Sequence, residues 1–190
     1  AVKFGQWAAT RADVFPAPLC LRLSRLHAHA CLHPLHHTLA ALQPLLGEHP
    51  DWSLQVEAEA LGSGCMAQVH KAALRRGPGA DEEWVAVKVV HPGVLPLVLA
   101  DLALLRAGAW VLEQLPGAKW LSMGEAVEEF AELLGGQLDM RCEARSLCRF
   151  HHNFRHHPHI AFPLPVPGLV SSSVLVETLM EGQLLGEWMA

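Results

Sequence analysis

A lysine stands in the middle of the run WVAVKVV, Trp84 to Val90, whose other residues are strong strand formers. Alternation puts Val85, Val87 and Val89 on one face of such a strand and Ala86, Lys88 and Val90 on the other. An ammonium group in an apolar strand is expensive to bury without an anion. The fold must therefore either let Lys88 snorkel into solvent or bring a carboxylate or an anionic ligand to it. The stretch before it, ALGSGCMAQVHKA at residues 60–72, reads G-x-G-x-x-A-x-V, with Gly62, Gly64, Ala67 and Val69 at the defining positions and Ser63 between the glycines. Glycines permit close backbone approach to an anion and supply positive φ. A tight hairpin turn needs the same residues, so the loop alone favours the plainer reading.

The surrounding texture predicts an α+β fold. LQVEAEAL, CMAQVHKAAL and WVAVKVV read as strands, the last two joined by the polar turn RRGPGADEE as an antiparallel hairpin. Leu19 to Leu46 has helical spacing, with breaks expected at Pro34 and Pro44. After the His-Pro-Gly at 91–93 a helix is expected through Leu115, and SMGE at Ser122 fits a capping box opening one long helix through Phe154, with Gly135-Gly136 in its middle. HPHIAFPLPVPGLV reads as extended and proline-punctuated, followed by a strand from Val174 to Thr178.

A glycine-bearing hairpin followed by V-A-x-K on the next strand is the nucleotide-gripping half of a protein-kinase fold. There the lysine holds the α- and β-phosphates and pairs with a helix glutamate. Glu143, in the long predicted helix, is the candidate partner.

Composition bounds the alternatives. With 51% hydrophobic and 17% charged residues over 190 positions, the chain is globular rather than disordered. A formal charge of −5 with scattered Lys and Arg gives no support to a nucleic-acid partner. Cys20, Cys31, Cys65, Cys142 and Cys148 are odd in number and lack a CxxC spacing, which points to a reducing compartment. The apolar stretch from Val94 to Pro116 carries Asp101, Arg106 and Glu113. It is expected to be a packed core helix rather than a membrane span, with contact to a membrane surface as the alternative. Two histidine-rich patches, HAHACLHPLHH and HHNFRHHPH, contain the i, i+4 pairs His33/His37 and His152/His156. Such pairs suit zinc or copper, although solvated helix faces carry histidines more often.

Four stretches together resemble the UbiB family of atypical kinase-like proteins, the aarF-domain-containing kinases, over almost the whole chain. KFGQ at Lys3, Gly5 and Gln6 looks like the family's K-x-G-Q signature, and GSGCMAQVHKA is similar to its nucleotide loop. VAVKVVHPGV resembles its lysine strand, and QLDMRCEA at 137–144 its E-x-D motif followed by the helix glutamate. The resemblance implies a kinase-like N-lobe, residues 54–190, preceded by a helical extension, residues 1–53, whose Lys3 and Gln6 fold over the nucleotide site. It implies a Lys88–Glu143 pair, Asp139 as the E-x-D aspartate, and VLVETLMEG as a hinge strand with Glu177 near the adenine and Gly182 just after it. It further implies ATP or ADP with Mg²⁺ as ligand, and a role in coenzyme Q biosynthesis or lipid metabolism in mitochondria. Partners implied are coenzyme Q biosynthetic proteins and a lipid or membrane surface.

Two features depart from the family pattern. Gln137 replaces the first acid of E-x-D, which removes a carboxylate from any Mg²⁺ site, and glycines stand where the family loop is alanine-rich, as in the aarF-domain-containing kinase 2 branch. The sequence opens at Ala1 almost on a motif and ends shortly after the hinge, so it reads as cut from something longer. It holds no catalytic-loop aspartate, metal-binding asparagine or D-F-G aspartate. With the second lobe absent, these residues alone are expected to be catalytically inert. The rival expectation is a non-catalytic pseudokinase module that binds a lipid or a partner.

Overall fold

The computed structural model of the chain describes residues 9, 12–13, 15–24, 32–115, 120 and 122–182. In chain order the elements are α1 (Ala17–Leu23), α2 (Leu35–Gly47), β1 (Trp52–Ser63), β2 (Ala67–Arg76), β3 (Glu82–Val90), α3 (Val94–Glu113), α4 (Met123–Leu138), α5 (Met140–Phe154), β4 (Pro165–Val170) and β5 (Val174–Thr178). The fold is α+β. The strands form one five-stranded sheet in the order β1-β2-β3-β5-β4. The turns joining β1 to β2 and β2 to β3 are too short for any but antiparallel neighbours. β5 pairs antiparallel with both β3 and β4.

The chain separates into two compact units that interleave in sequence. One holds α1, the β1–β2 turn, α3 and α4; the other holds α2, most of the sheet and α5. The core of the second unit follows from strand alternation. Val85, Val87 and Val89 of β3 are buried together with Ala72 and Leu74 of β2, Val166 and Leu169 of β4, Val174 and Val176 of β5, and Leu42 of α2. Ala41, Leu45 and Leu46 of α2 pack against the same cluster. That packing keeps α2 helical through Pro44, where a break was expected. The proline falls in the last turn, where it costs a single backbone hydrogen bond.

β4 carries an irregularity. Its register against β5 shifts between Pro165 and Val170, and Gly168 there takes φ = +85°. The His49 imidazole occupies the space a Cβ at residue 168 would need, and its ring stacks on Trp52 at 4.1 Å between centroids and an interplanar angle of 13°.

In the first unit α3 and α4 pack together. Leu102 and Ala109 of α3 and Val127 and Leu134 of α4 are buried. Arg106 holds Glu128 with two bonds of 2.7 Å. Those bonds hold the Glu128 carboxyl below its usual range. The expectation that α3 is a core helix is corrected: Leu97, Leu104 and Trp110 are 62%, 73% and 65% exposed. Its mean hydropathy of 1.8 over a sufficient length also makes it long and apolar enough to cross a membrane, contrary to the expectation drawn from its charges. Helical periodicity reports which residues share a face, not whether a neighbour covers that face.

The long helix expected from Ser122 to Phe154 is two helices, α4 and α5. Asp139 interrupts it with φ −105° and ψ 105°, and its carboxylate accepts from the Arg141 N–H at 2.9 Å as the cap of α5. The start of α4 also differs from a Ser–Glu capping box. Ser122 takes φ = +45°, and the Gly124 N–H donates to Glu113 Oε1 at 2.9 Å.

Candidate functional site

Lys88 meets its counter-ion. Its Nζ donates to Glu143 Oε1 at 2.6 Å and to Oε2 at 2.8 Å, so a single ammonium engages both carboxylate oxygens. Each partner is fixed by its own element. β3 is held by β5 in register, with Lys88 opposite Leu175 and Ala86 opposite Glu177. Glu143 lies in the first turn of α5, where the helix N-terminus favours a carboxylate. α5 is itself anchored, with Met140 buried and its N–H donating to the Ser172 carbonyl at 3.0 Å.

Asp139 is brought to the same helix but is already engaged. The Arg141 guanidinium donates to both its oxygens at 2.8 to 3.1 Å and holds its carboxyl below the usual range. With Gln137 neutral and Asp139 bound to arginine, these positions do not offer Mg²⁺ a free pair of carboxylates. Among the described residues no three His, Cys, Asp or Glu side chains cluster as a metal site.

Glu177 shares the face of β5 that corresponds to Ala86 and Lys88 on β3. Its Oε2 is buried and has no hydrogen-bond partner among the described residues. Its carboxyl is pushed up to about 6, first by burial and then by the charge of Glu143, against the pull of Lys88. A carboxyl whose folded value lies above its unfolded one holds its proton more tightly in the folded state. Its contribution to stability is therefore fully present below 4.5 and is lost as pH rises through about 6. Allowing for solvent screening, this amounts to about 1 kcal/mol. Glu177→Gln is expected to flatten that pH dependence and to raise Tm by about 2–4 °C at slightly alkaline pH, as read by thermal unfolding across pH.

The glycine-bearing loop is built differently from the sequence expectation. Gly62 and Ser63 end β1, and the Gly64 N–H donates to the Ala67 carbonyl at 2.8 Å, which closes the turn into β2, where Ala67 is buried and Val69 half-buried. Neither Gly62 nor Gly64 has positive φ; among the described residues the positive-φ glycines are Gly77, Gly79, Gly93 and Gly168. A Cβ at Gly62 would meet nothing, and one at Gly64 would meet only the Ala67 carbonyl at an ordinary 3.7 Å. The fold therefore does not require glycine at either position. Gly62→Ala and Gly64→Ala are expected to leave stability unchanged within about 0.5 kcal/mol in urea unfolding, so that any effect on ligand binding reports on the loop itself.

A network that the sequence did not reveal holds this loop. His91, just after β3, has its Nε2 2.8 Å from the Gly64 carbonyl and 3.3 Å from Ser63 Oγ. A carbonyl only accepts, so Nε2 carries the proton, and in the neutral ring the Nδ1 of His91 accepts from the Nδ1–H of His33 at 2.7 Å. Gln68 completes the clasp. Its side chain accepts from the His33 N–H at 2.9 Å and donates to the His33 carbonyl at 3.2 Å. The signal available was the pairing of a buried glutamine in AQVH with a histidine before Pro-Gly, but these contacts span 35 and 58 residues. His70 is a satisfied core histidine, with its Nδ1 bonded to the Glu57 carbonyl and its Nε2 to the Thr38 hydroxyl.

The proposed histidine pairs do not share helix faces. His33 precedes α2 and His156 follows α5. Lys3, Gly5 and Gln6, together with His27, His29 and Cys31, lie outside the described residues, whereas Gly182 is the last residue described.

Comparison with known proteins places these features in context. The ABC1 atypical kinase-like domain family matches residues 34–189. The chain is 36% identical to a probable serine/threonine-protein kinase, abkC, of Dictyostelium discoideum over 95% of its own length and 26% of the relative's. It is 32% identical to a mitochondrial ABC1 family protein of Saccharomyces cerevisiae over 95% of its length and 29% of the relative's. It is likewise 32% identical to a probable protein kinase UbiB of Vibrio atlanticus over 95% of its length and 33% of the relative's. The chain thus spans about a third or less of the curated relatives it matches. With a match that takes in the lysine strand, the glutamate helix and the whole five-stranded sheet, the chain belongs to the ABC1 atypical kinase-like family, that of the UbiB proteins.

Proposed function

We propose that this chain is the nucleotide-binding part of an ABC1 atypical kinase or ATPase, and that its ligand is ATP or ADP with Mg²⁺. The observation that carries the reading is the Lys88–Glu143 pair, a lysine from mid-strand aimed by both oxygens of a helix carboxylate. In this reading Lys88 holds the α- and β-phosphates, and Glu143 orients the lysine. Asp139 acts as the cap that starts α5 and so aims Glu143. Mg²⁺ arrives with the phosphates. Residues 1–53 form an extension whose Lys3, Gly5 and Gln6 close over the nucleotide, and residues 54–190 form the lobe.

The whole protein is proposed to serve coenzyme Q biosynthesis or mitochondrial lipid metabolism; the yeast relative's name, which includes the word mitochondrial, supports the location. These 190 residues alone bind nucleotide without turning it over, because no D-F-G aspartate occurs in them. The test is a thermal-unfolding titration with MgATP and MgADP, alongside release of labelled γ-phosphate. A ligand-dependent rise in Tm without phosphate release is expected. Turnover by these residues alone would overturn the second half of the proposal.

The exposed leucines of α3 favour a second reading, a module that holds a lipid surface or a partner protein. A rise in Tm with phospholipid vesicles and none with either nucleotide would select it.

A further inference from the structure

We propose that Glu177 is the base-reading residue of this site, discriminating between purines by the donors and acceptors on their Watson–Crick edge. The inference rests on the nucleotide reading above and deepens it. Residues directly opposite in an antiparallel pair share a face, so Ala86, Lys88, Leu175 and Glu177 lie on one side of the sheet. Glu177 sits one pleat, about 7 Å, along from the lysine that would hold the phosphates.

The hydrogen bonds on that face are unevenly spent. Lys88 donates to the two oxygens of Glu143, and Glu177 Oε2 is left buried and unsatisfied among the described residues. Buried polar atoms are nearly always partnered, so an orphan acceptor on a ligand-facing surface calls for a donor from the ligand. A phosphate cannot supply it, since it only accepts and would be repelled. What reaches Glu177 is therefore the end of the nucleotide that carries N–H groups. Ala86 beside it is small enough to leave room for a planar base.

The two purines then differ in kind. An ionised carboxylate offers two acceptors, which match the N1–H and amino group of guanine. Against adenine it can take one amino N–H but faces the lone pair of N1. A protonated carboxyl offers one donor and one acceptor, which match adenine's N1 and amino group or, turned over, guanine's O6 and N1–H, so only the ionised form favours guanine. The charged groups facing Glu177 are Lys88 of β3 and Glu143 of α5, and together with burial they set its carboxyl at about 6, so both forms are reachable near neutrality. A glutamine at this position always offers one donor and one acceptor, which adenine's N1 and amino group or guanine's O6 and N1–H can both meet, so it lacks the two-acceptor match to guanine at every pH.

The experiment measures MgATP and MgGTP dissociation constants for the full-length protein, its Glu177→Gln and Glu177→Met variants and the Lys88→Ala control, from about pH 5 to about pH 8. The wild type is expected to shift its preference toward GTP as pH rises. Glu177→Gln is expected to show no pH trend and, at about pH 8, a preference for GTP over ATP about tenfold smaller than the wild type's, and Glu177→Met to bind both weakly and without preference. If both nucleotides bind in a Lys88-dependent way but their ratio is the same in all three proteins, the inference fails while the nucleotide reading stands. Equal losses of both nucleotides in Glu177→Gln, with sensitivity to removal of a ribose hydroxyl, would assign Glu177 to the sugar and overturn it as well. Binding that is absent, or unaffected by Lys88→Ala, would overturn the nucleotide reading and this inference with it.

Discussion

Lys88→Ala will abolish the nucleotide-dependent rise in Tm while lowering the Tm of the unliganded protein only slightly. The two effects separate because the lysine has two different jobs. Its bonds go to Glu143, whose side chain is 38% exposed, so the pair contributes about 1 kcal/mol or less to stability. For a chain of this size that is a shift of about 2–4 °C. Toward phosphate oxygens the same ammonium supplies charge-assisted bonds of about 1.5–3 kcal/mol each, so its removal is expected to weaken binding by about 100-fold. Glu143→Gln should fall between, because the amide still accepts one hydrogen bond but no longer carries the charge that aims the lysine. The decisive measurement is calorimetric titration of the three proteins with MgADP. Undiminished affinity in Lys88→Ala would remove the phosphate role.

The largest expected loss of stability lies in the core of the sheet. Leu74 of β2 is fully buried and belongs to the cluster formed by Val85, Val87, Val174 and Leu42. Leu74→Ala deletes three carbons from a place where helix and sheet are already packed, which costs about 2–5 kcal/mol. That is a large part of a typical total of about 5–15 kcal/mol. The urea midpoint should fall by about 1–2 M. Leu97→Ala on α3 deletes the same atoms from a side chain that is 62% exposed and should change the midpoint hardly at all. A comparable loss at Leu97 would mean that something covers α3.

The lysine strand and its carboxylate were legible because the relevant physics is local. One charge in an apolar run demands an anion, and the spacing of Val85, Val87 and Val89 states which face is buried. What the sequence concealed depended on choices between similar local states. Asp139 reads as one more acid in a helix until its side chain is seen to accept from Arg141 and start a new one. Pro44 reads as a breaker, yet Leu42, Leu45 and Leu46 pack well enough to carry the helix past it. The apolar pattern of α3 is the same whether a neighbour or solvent lies beside it. The clasp of His33, Gln68 and His91 on Gly64 joins residues far apart in the chain, and no window of sequence contains it.

Gly168 carries a consequence for sequence variation. Its φ of +85° is one that side-chain-bearing residues avoid, and the place of its Cβ is taken by a histidine ring that is stacked on Trp52 and so resists being pushed aside. Every missense change at this codon adds at least that one carbon. Most surface positions of such a protein grade their variants by size or charge. Residue 168 offers no mild option, so even an alanine there is expected to disturb β4 in the way a larger side chain would.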